Sequence, residues 1–286
     1  MINVEDVNYV YQPGTPFEKQ ALSDINLEIP NGSITAIIGR TGSGKSTLVQ
    51  LFNALIRPTS GRITINGTDI TAKNADLRAM RFKVGLVFQY PEYQLFEETV
   101  FADVAFGPKN MGLSDEETER RVKNAMKLAG LDEKYEKRSP FELSGGEKRR
   151  AAIAGVLAMS PEILILDEPA AGLDPAGRDG IFALIRELHL KNPEMIVIII
   201  SHSMEDVAEI ADNIAVMNNG RIIMHGTVSE VFSQKELLSQ IGLDVPQITQ
   251  LAEKLRILGY PLPPDIYTVE SAAAALKKLI GGGKHA

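Results

Sequence analysis

Residues 39–46 read Gly-Arg-Thr-Gly-Ser-Gly-Lys-Ser, a match to G-x-x-x-x-G-K-[ST], and they stand between the apolar run ITAII and the helical pattern STLVQLFNAL. Glycines at this spacing let the backbone curl so that successive N–H groups and the following helix N-terminus point at one place, which suits a chain of phosphates. Gly39, Arg40, Thr41, Gly42, Ser43, Gly44, Lys45, Ser46 and Thr47 are therefore candidate nucleotide-binding residues. Lys45 is placed to neutralise the β and γ phosphates, and Ser46 to hold Mg²⁺. The plain alternative is a glycine-rich turn without a ligand, and the flanking strand and helix patterns count against it. ATP and Mg²⁺ are the expected ligands.

The runs ITAIIG (34–39), VGLVFQ (84–89), EILILDEP (162–169) and MIVIIISH (195–202) are continuously apolar instead of alternating, as strands buried on both faces of a parallel sheet are. Helical patterns lie between them, among them Ser114 to Leu128, with Ser114 as N-cap, an acidic first turn and Gly130 just beyond. The expectation is an α/β fold with a mostly parallel sheet, into which a helical subdomain from about 91 to 155 is inserted. The composition changes after Gly226. Gln247 to Leu258 sets Ile248, Leu251, Leu255 and Leu258 on one face, and the breaker YPLPPD separates it from a second amphipathic stretch, Val269 to Ile280. We expect a nucleotide-binding domain over 1–226 and a small helical C-terminal domain over 227–286. The C-terminal stripes either pack on each other or contribute to a subunit contact. The terminal GGGKHA reads as a flexible tail.

Composition narrows the function. A net charge of −7 among 286 residues does not supply the basic surface that broad nucleic-acid binding needs. The absence of cysteine removes disulfides, thiolate metal sites and thiol nucleophiles. The longest strongly apolar stretch, Met195 to Ile200, falls far short of the roughly 20 residues that span a bilayer, and the polar start MINVED is no signal peptide.

The strand Ile163 to Leu166 ends in Asp167-Glu168, delivering two carboxylates to the C-terminal edge of the sheet, where α/β folds bind ligands. Asp167 is the candidate Mg²⁺ ligand. Glu168, expected on the other side of the strand end, is the candidate general base for the water that attacks the γ-phosphate. An acidic pair by itself is weak evidence, and the phosphate loop upstream strengthens it.

Leu143-Ser-Gly-Gly-Glu147 resembles the signature motif of ABC ATPases. The resemblance implies that Ser144, Gly145 and Gly146, at a helix N-terminus, contact the γ-phosphate bound to an opposite subunit, so that two chains sandwich ATP. It assigns Gln89 to the Q-loop, touching Mg²⁺ and the attacking water, and His202 to the switch histidine beside the γ-phosphate. Asp174 matches the D-loop aspartate. Tyr11 sits where the family stacks an aromatic ring on adenine, with Tyr9 as the rival. Glu168, His202, Gln89 and Lys45 form the expected catalytic set, and Ser46, Gln89 and Asp167 the metal set. Two positions depart from the usual pattern: Glu147 where glutamine is commonest, and Ala171-Gly172 where many members carry serine-alanine.

The segments FQYPEYQLFEETVFADVAFGPKNMGL and SPFELSGGEKRRAAIAGVLAM are similar to the ATPases of energy-coupling factor (ECF) transporters, which import vitamins, cobalt or nickel. The loop GRTGSGKST and the stretch GLDVPQITQLAEKLRILGYPLP resemble the second of the two ATPase paralogues. The implied partners are a paralogous ATPase in a heterodimer, a transmembrane coupling protein and a small substrate-capture membrane protein, with this chain peripheral on the cytoplasmic face of the cell membrane. Tyr90, Tyr93, Phe96, Phe101 and Phe106 either line a groove for a coupling helix or fill the subdomain core. An ATPase of a conventional ABC importer, or a soluble ABC ATPase outside transport, remains the alternative. Chromosome-maintenance ATPases need a long heptad insertion, whereas Lys45 and Ser144 are only about a hundred residues apart.

Overall fold

The computed structural model describes residues 1–282; the last four residues of GGGKHA lie outside the described residues. In chain order the strands are β1 (Ile2–Tyr11), β2 (Lys19–Ile29), β3 (Ile34–Ile38), β4 (Ser60–Ile65), β5 (Thr68–Asp69), β6 (Val84–Val87), β7 (Ile163–Asp167), β8 (Ile196–Ile200), β9 (Asn213–Asn218) and β10 (Arg221–Thr227). The helices are α1 (Lys45–Phe52), α2 (Leu77–Lys83), α3 (Val100–Asn110), α4 (Asp115–Leu128), α5 (Gly145–Leu157), α6 (Pro175–Lys191), α7 (Met204–Ile210), α8 (Val228–Phe232), α9 (Lys235–Gln240), α10 (Gln247–Ile257) and α11 (Val269–Gly282).

Two sheets face each other. One is antiparallel, in the order β2-β1-β4-β5, and the other runs β10-β9-β3-β8-β7-β6, parallel from β6 to β9 with β10 antiparallel at its edge. The four apolar runs of the sequence are β3, β6, β7 and β8, and each is buried from the first residue to the last apolar one. Both faces are covered. Ile37, Ile165 and Ile198 point to the cluster shared with the antiparallel sheet, whereas Leu164, Leu166, Val197 and Ile199 point to the cluster under α5 and α6. Each fully buried isoleucine or leucine contributes about 1.5–3 kcal/mol, so these strands are the anchor on which the site is hung.

β6 and β7 pair in parallel, yet 75 residues, 88–162, separate them. These residues form the helical insertion, with α3, α4 and α5 packed on one another around Val100, Val104, Val122, Met126 and Ile153. Ser114 caps α4 by accepting from the Glu117 N–H at 3.3 Å, and α5 runs on to Leu157.

The change of composition at Gly226 does not coincide with a break in packing. Gly226 lies within β10, and Val231, Phe232, Leu238 and Val245 belong to the same buried cluster as Ala36, Ile38 and Val216 of the main sheet. A separate cluster begins further on, where Ala252 of α10 meets Leu262, Ile266 and Ala272. The stripe read on α10 divides: Ile248 and Leu255 pack here, while Leu251 and Leu258 face outward, because the small Ala252 makes the close contact to α11. No helix among the described residues is long and apolar enough to cross a membrane.

Candidate functional site

The C-terminal ends of β3, β7 and β8 open onto a cavity of about 750 Å³. The phosphate loop forms its floor. Gly39 leaves β3 at φ +153°, where an added Cβ would lie 2.3 Å from the Met217 carbonyl oxygen, and Gly44 starts α1 at φ +107° against Ala21 and Leu22. Side chains are excluded at both points, so the loop needs glycine to pass close to its neighbours. α1 has no side-chain cap and no acidic residue in its first turn, which leaves its N-terminus open to an anion from the cavity.

Lys45 is buried, and its Nζ donates to the Gly39 and Arg40 carbonyls at 2.7 and 3.1 Å. Burial lowers its pKa, against the opposing pull of Glu168 and Asp167. Ser46 Oγ donates to Asp167 Oδ2 at 3.3 Å, joining the helix after the loop to the end of β7. Gln89, two residues past β6, lines the same cavity. A hydroxyl, a carboxylate and a side-chain amide lining one cavity supply hard oxygen donors, and this set fits Mg²⁺ when phosphate oxygens complete the shell.

Asp167 and Glu168 both face this cavity, contrary to the alternation expected along a strand. β7 ends at Asp167, and Glu168 adopts φ +52°, a left-handed conformation that turns its side chain back beside its neighbour. Strain of this kind at a non-glycine residue costs on the order of 1–3 kcal/mol and is concentrated at functional sites. Burial, with the adjacent Asp167 charge second, pushes the Glu168 carboxyl up to about 7. Its Oε1 is buried without a hydrogen-bond partner among the described residues, although His202 Nε2 lies 3.3 Å away outside hydrogen-bond geometry. Burial, with Lys45 second, lowers the His202 pKa, so the imidazole is neutral at pH 7.

The two early tyrosines separate clearly. Tyr11 lines the cavity and its hydroxyl lies 3.1 Å from Thr47 Oγ1, whereas Tyr9 packs edge-on behind it, with ring centroids 4.8 Å apart, against the core. Lys45, Ser46, Thr47, Thr41, Gly42, Gly44, Gln89, Asp167, Glu168, His202 and Tyr11 thus meet in one place. Arg40 does not join them: its side chain lies against Gly242, where a Cβ would be 3.2 Å from Arg40 Cδ. Ser144, Gly145, Gly146 and Asp174 are also outside the cavity lining. Ser144 caps α5 in a reciprocal box with Glu147, and Asp174 caps α6 by accepting from the Gly177 N–H at 2.8 Å. Gly145 and Gly146 have open space where a Cβ would stand.

The cavity also includes Lys19, Gln20, Asn219 and Gly220, which the motifs did not indicate. Asn219-Gly220 is legible as a hairpin turn between β9 and β10. Its place beside the loop is a tertiary fact: the Gly220 N–H donates to the Ser43 carbonyl, and the Ser23 N–H to that of Gly220.

A two-sheet α/β core with this loop, an acidic strand end and a helical insertion defines a P-loop nucleoside triphosphatase of the ATP-binding-cassette class. The ABC transporter family model matches residues 22–171. Among curated proteins the chain is 56% identical over 284 residues to an energy-coupling factor transporter ATP-binding protein EcfA2 of Caldanaerobacter subterraneus subsp. tengcongensis, covering 99% of both chains. It is 55% identical to an EcfA2 of Clostridium perfringens, covering 98% of both. Among solved structures it resembles cbiO1 of Clostridium perfringens, part of the ABC transporter complex cbiONQ, with 42% identity and a TM-score of 0.74 over 88% of this chain and 98% of that one. It also resembles a dimeric ATP-binding cassette in a post-hydrolysis state bound to ADP and Pi, with 28% identity and a TM-score of 0.71 over 80% of this chain and 99% of that one. The chain belongs to the ABC transporter ATPase family and, within it, to the energy-coupling factor ATP-binding proteins.

Proposed function

We propose that the chain hydrolyses Mg²⁺-ATP in a sandwich with a paralogous ATPase, and that this drives an ECF-type importer of vitamins or other micronutrients. The observation carrying this reading is the division of the motifs. Lys45, Ser46, Gln89, Asp167, Glu168 and His202 surround one cavity, while Ser144, Gly145, Gly146 and Asp174 stand outside it, available to a cavity on another subunit.

Tyr11 offers its ring to adenine, and the N-terminus of α1 with Lys45 receives the phosphates. On ATP binding Lys45 exchanges its two loop carbonyls for phosphate oxygens, a stronger charge-assisted bond. Ser46, Gln89 and Asp167 would hold Mg²⁺, which supplies charge neutralisation on the transferred phosphoryl group. Glu168 accepts the proton of the attacking water: its carboxyl is poised near neutrality, and its buried Oε1 is free of a protein partner among the described residues. His202 orients the γ-phosphate, its Nε2 standing 3.3 Å from Glu168 Oε1 at the same end of the cavity.

The coupling surface is the groove beside α3. Phe96 and Phe106 stand edge to face at 5.0 Å and are about half exposed, with Leu55 beside them, whereas Phe101 turns into the core. We assign this groove to a helix of a transmembrane coupling protein on the cytoplasmic face of the membrane, with a second membrane protein capturing the solute. Purification of the tagged chain from its native membranes tests the assembly. Recovery of a second ATPase together with a polytopic membrane protein is expected; recovery of this chain alone, or with ribosomes or DNA-bound factors, would contradict it.

A further inference from the structure

Arg149 is a buried charge that the roles above do not use. It lies little more than one turn into α5, the helix that Ser144 caps, and is 3% exposed. Its guanidinium reaches two other catalytic segments. Nη1 donates to the carbonyls of Pro169 at 3.1 Å and Ala171 at 2.8 Å, the turn that directly follows Glu168. Nη2 faces both carboxylate oxygens of Glu92 at 3.5 Å, and Glu92 lies in the short 3₁₀ turn Pro91–Gln94 that follows Gln89.

The turn after Glu168 packs on the helical insertion through Ala170 and Leu173, but among the described residues only Arg149 joins the two by hydrogen bonds. Glu168 is left-handed, and the turn closes locally through the Ala171 N–H to the Glu168 carbonyl at 3.1 Å and the Leu173 N–H to that of Ala170 at 3.2 Å. Those bonds shape the turn without tying it to the helical insertion; Arg149 supplies the polar, directional tie beside the apolar contacts of Ala170 and Leu173. A buried guanidinium needs a counter-charge, and Glu92 faces it at a distance that leaves the pair long and adjustable. Its Nε, buried and without a partner among the described residues, marks the clamp as incompletely satisfied in this conformation.

We infer that Arg149 is a positioning residue that couples the segment after Gln89 to the turn carrying Glu168, so that movement of that segment is transmitted to the general base. The inference rests on the ATPase reading of the cavity. A bidentate, planar donor is required: lysine keeps the charge but cannot bond two carbonyls in a fixed fork while facing a carboxylate.

The test is steady-state ATP hydrolysis by the co-purified assembly carrying wild-type chain, Arg149→Lys, Glu92→Gln or both, with nucleotide affinity and thermal midpoint measured on the same preparations. Arg149→Lys should lower turnover at the composite site that holds this chain's Glu168 about tenfold, which lowers kcat of the assembly by about half, with KM for ATP within about twofold, because the phosphate loop is untouched. Glu92→Gln, at a partly exposed position that does not threaten folding, should lower turnover at the same site about threefold, which lowers kcat of the assembly by about a third, and the double variant should fall no further than Arg149→Lys alone. Variants with wild-type kcat, or with effects that multiply independently, overturn the coupling. A lower midpoint with kcat per bound nucleotide unchanged overturns it as well, leaving a packing role. No hydrolysis by the wild-type assembly would overturn the ATPase reading itself, and the coupling with it.

Discussion

Glu168, the proposed general base, combines a buried carboxyl with an unusual backbone. Its carboxyl ionises near 7 in the folded chain, above the ordinary value of 4.5, so ionisation is penalised by folding. That penalty is absent below about 4.5 and fully present above about 7. Glu168→Gln should therefore raise the thermal midpoint at pH 8, with the gain shrinking as the pH falls towards 5, while turnover by the co-purified assembly falls by at least about half, the share of the one composite site that Glu168 serves. Differential scanning of the chain across that range, with phosphate release by the co-purified assembly, reads both effects. An equal midpoint shift at both pH values would detach the effect from ionisation. The place of Glu168 at the cavity was legible in the sequence because a carboxylate pair follows an apolar strand, but its direction was not. Strand alternation sends neighbours to opposite faces, and it stops applying one residue too early, at a left-handed turn that no propensity of glutamate announces. Arg40 shows the opposite limit: it sits inside a strong motif, yet its side chain is taken by a contact to Gly242, two hundred residues later.

At the scale of elements, α5 illustrates how a departure from the family pattern is absorbed locally. Glu147 Oε2 accepts from the Ser144 N–H at 2.8 Å and the Ser144 hydroxyl at 2.7 Å, while Oε1 accepts from the Tyr135 hydroxyl at 2.5 Å. The Tyr135 bond, followed by the two from Ser144, holds the Glu147 carboxyl down to about 2. Because that value lies below the ordinary 4.5, the stabilisation is present above pH 4.5 and is lost as the pH falls towards 2. Glu147→Ala should destabilise the chain by about 1 kcal/mol in urea unfolding at pH 7, the usual cost of a lost capping interaction. No change at pH 7 would mean that α5 is held by its apolar face alone. The strands and α4 could be read from periodicity and caps, since burial on both faces leaves continuous apolar runs and Ser114 precedes three acidic residues. The end of the sheet domain could not be so read. Composition shifts at Gly226, while packing continues through Val231 and Val245 because the sheet edge needs cover whatever the local sequence looks like.

The whole molecule presents a cavity lined by the phosphate loop, the ends of β7 and β8 and Tyr11. The motif residues outside it, Ser144, Gly145 and Gly146, are positioned by a capped helix and exposed, as a surface awaiting another subunit's nucleotide would be. Lys19, Gln20 and Asn219 reach the same cavity from hairpins far apart in the chain, and only the packing of two sheets brings them there. The measurement that bears most directly on this account is the initial rate of phosphate release from ATP by the co-purified assembly, wild type against Lys45→Ala in this chain. The account predicts a fall of at least about half, since removing the one ammonium group in the phosphate loop disables one of two composite sites. A wild-type assembly that releases no phosphate, or a rate that Lys45→Ala leaves untouched, would contradict it.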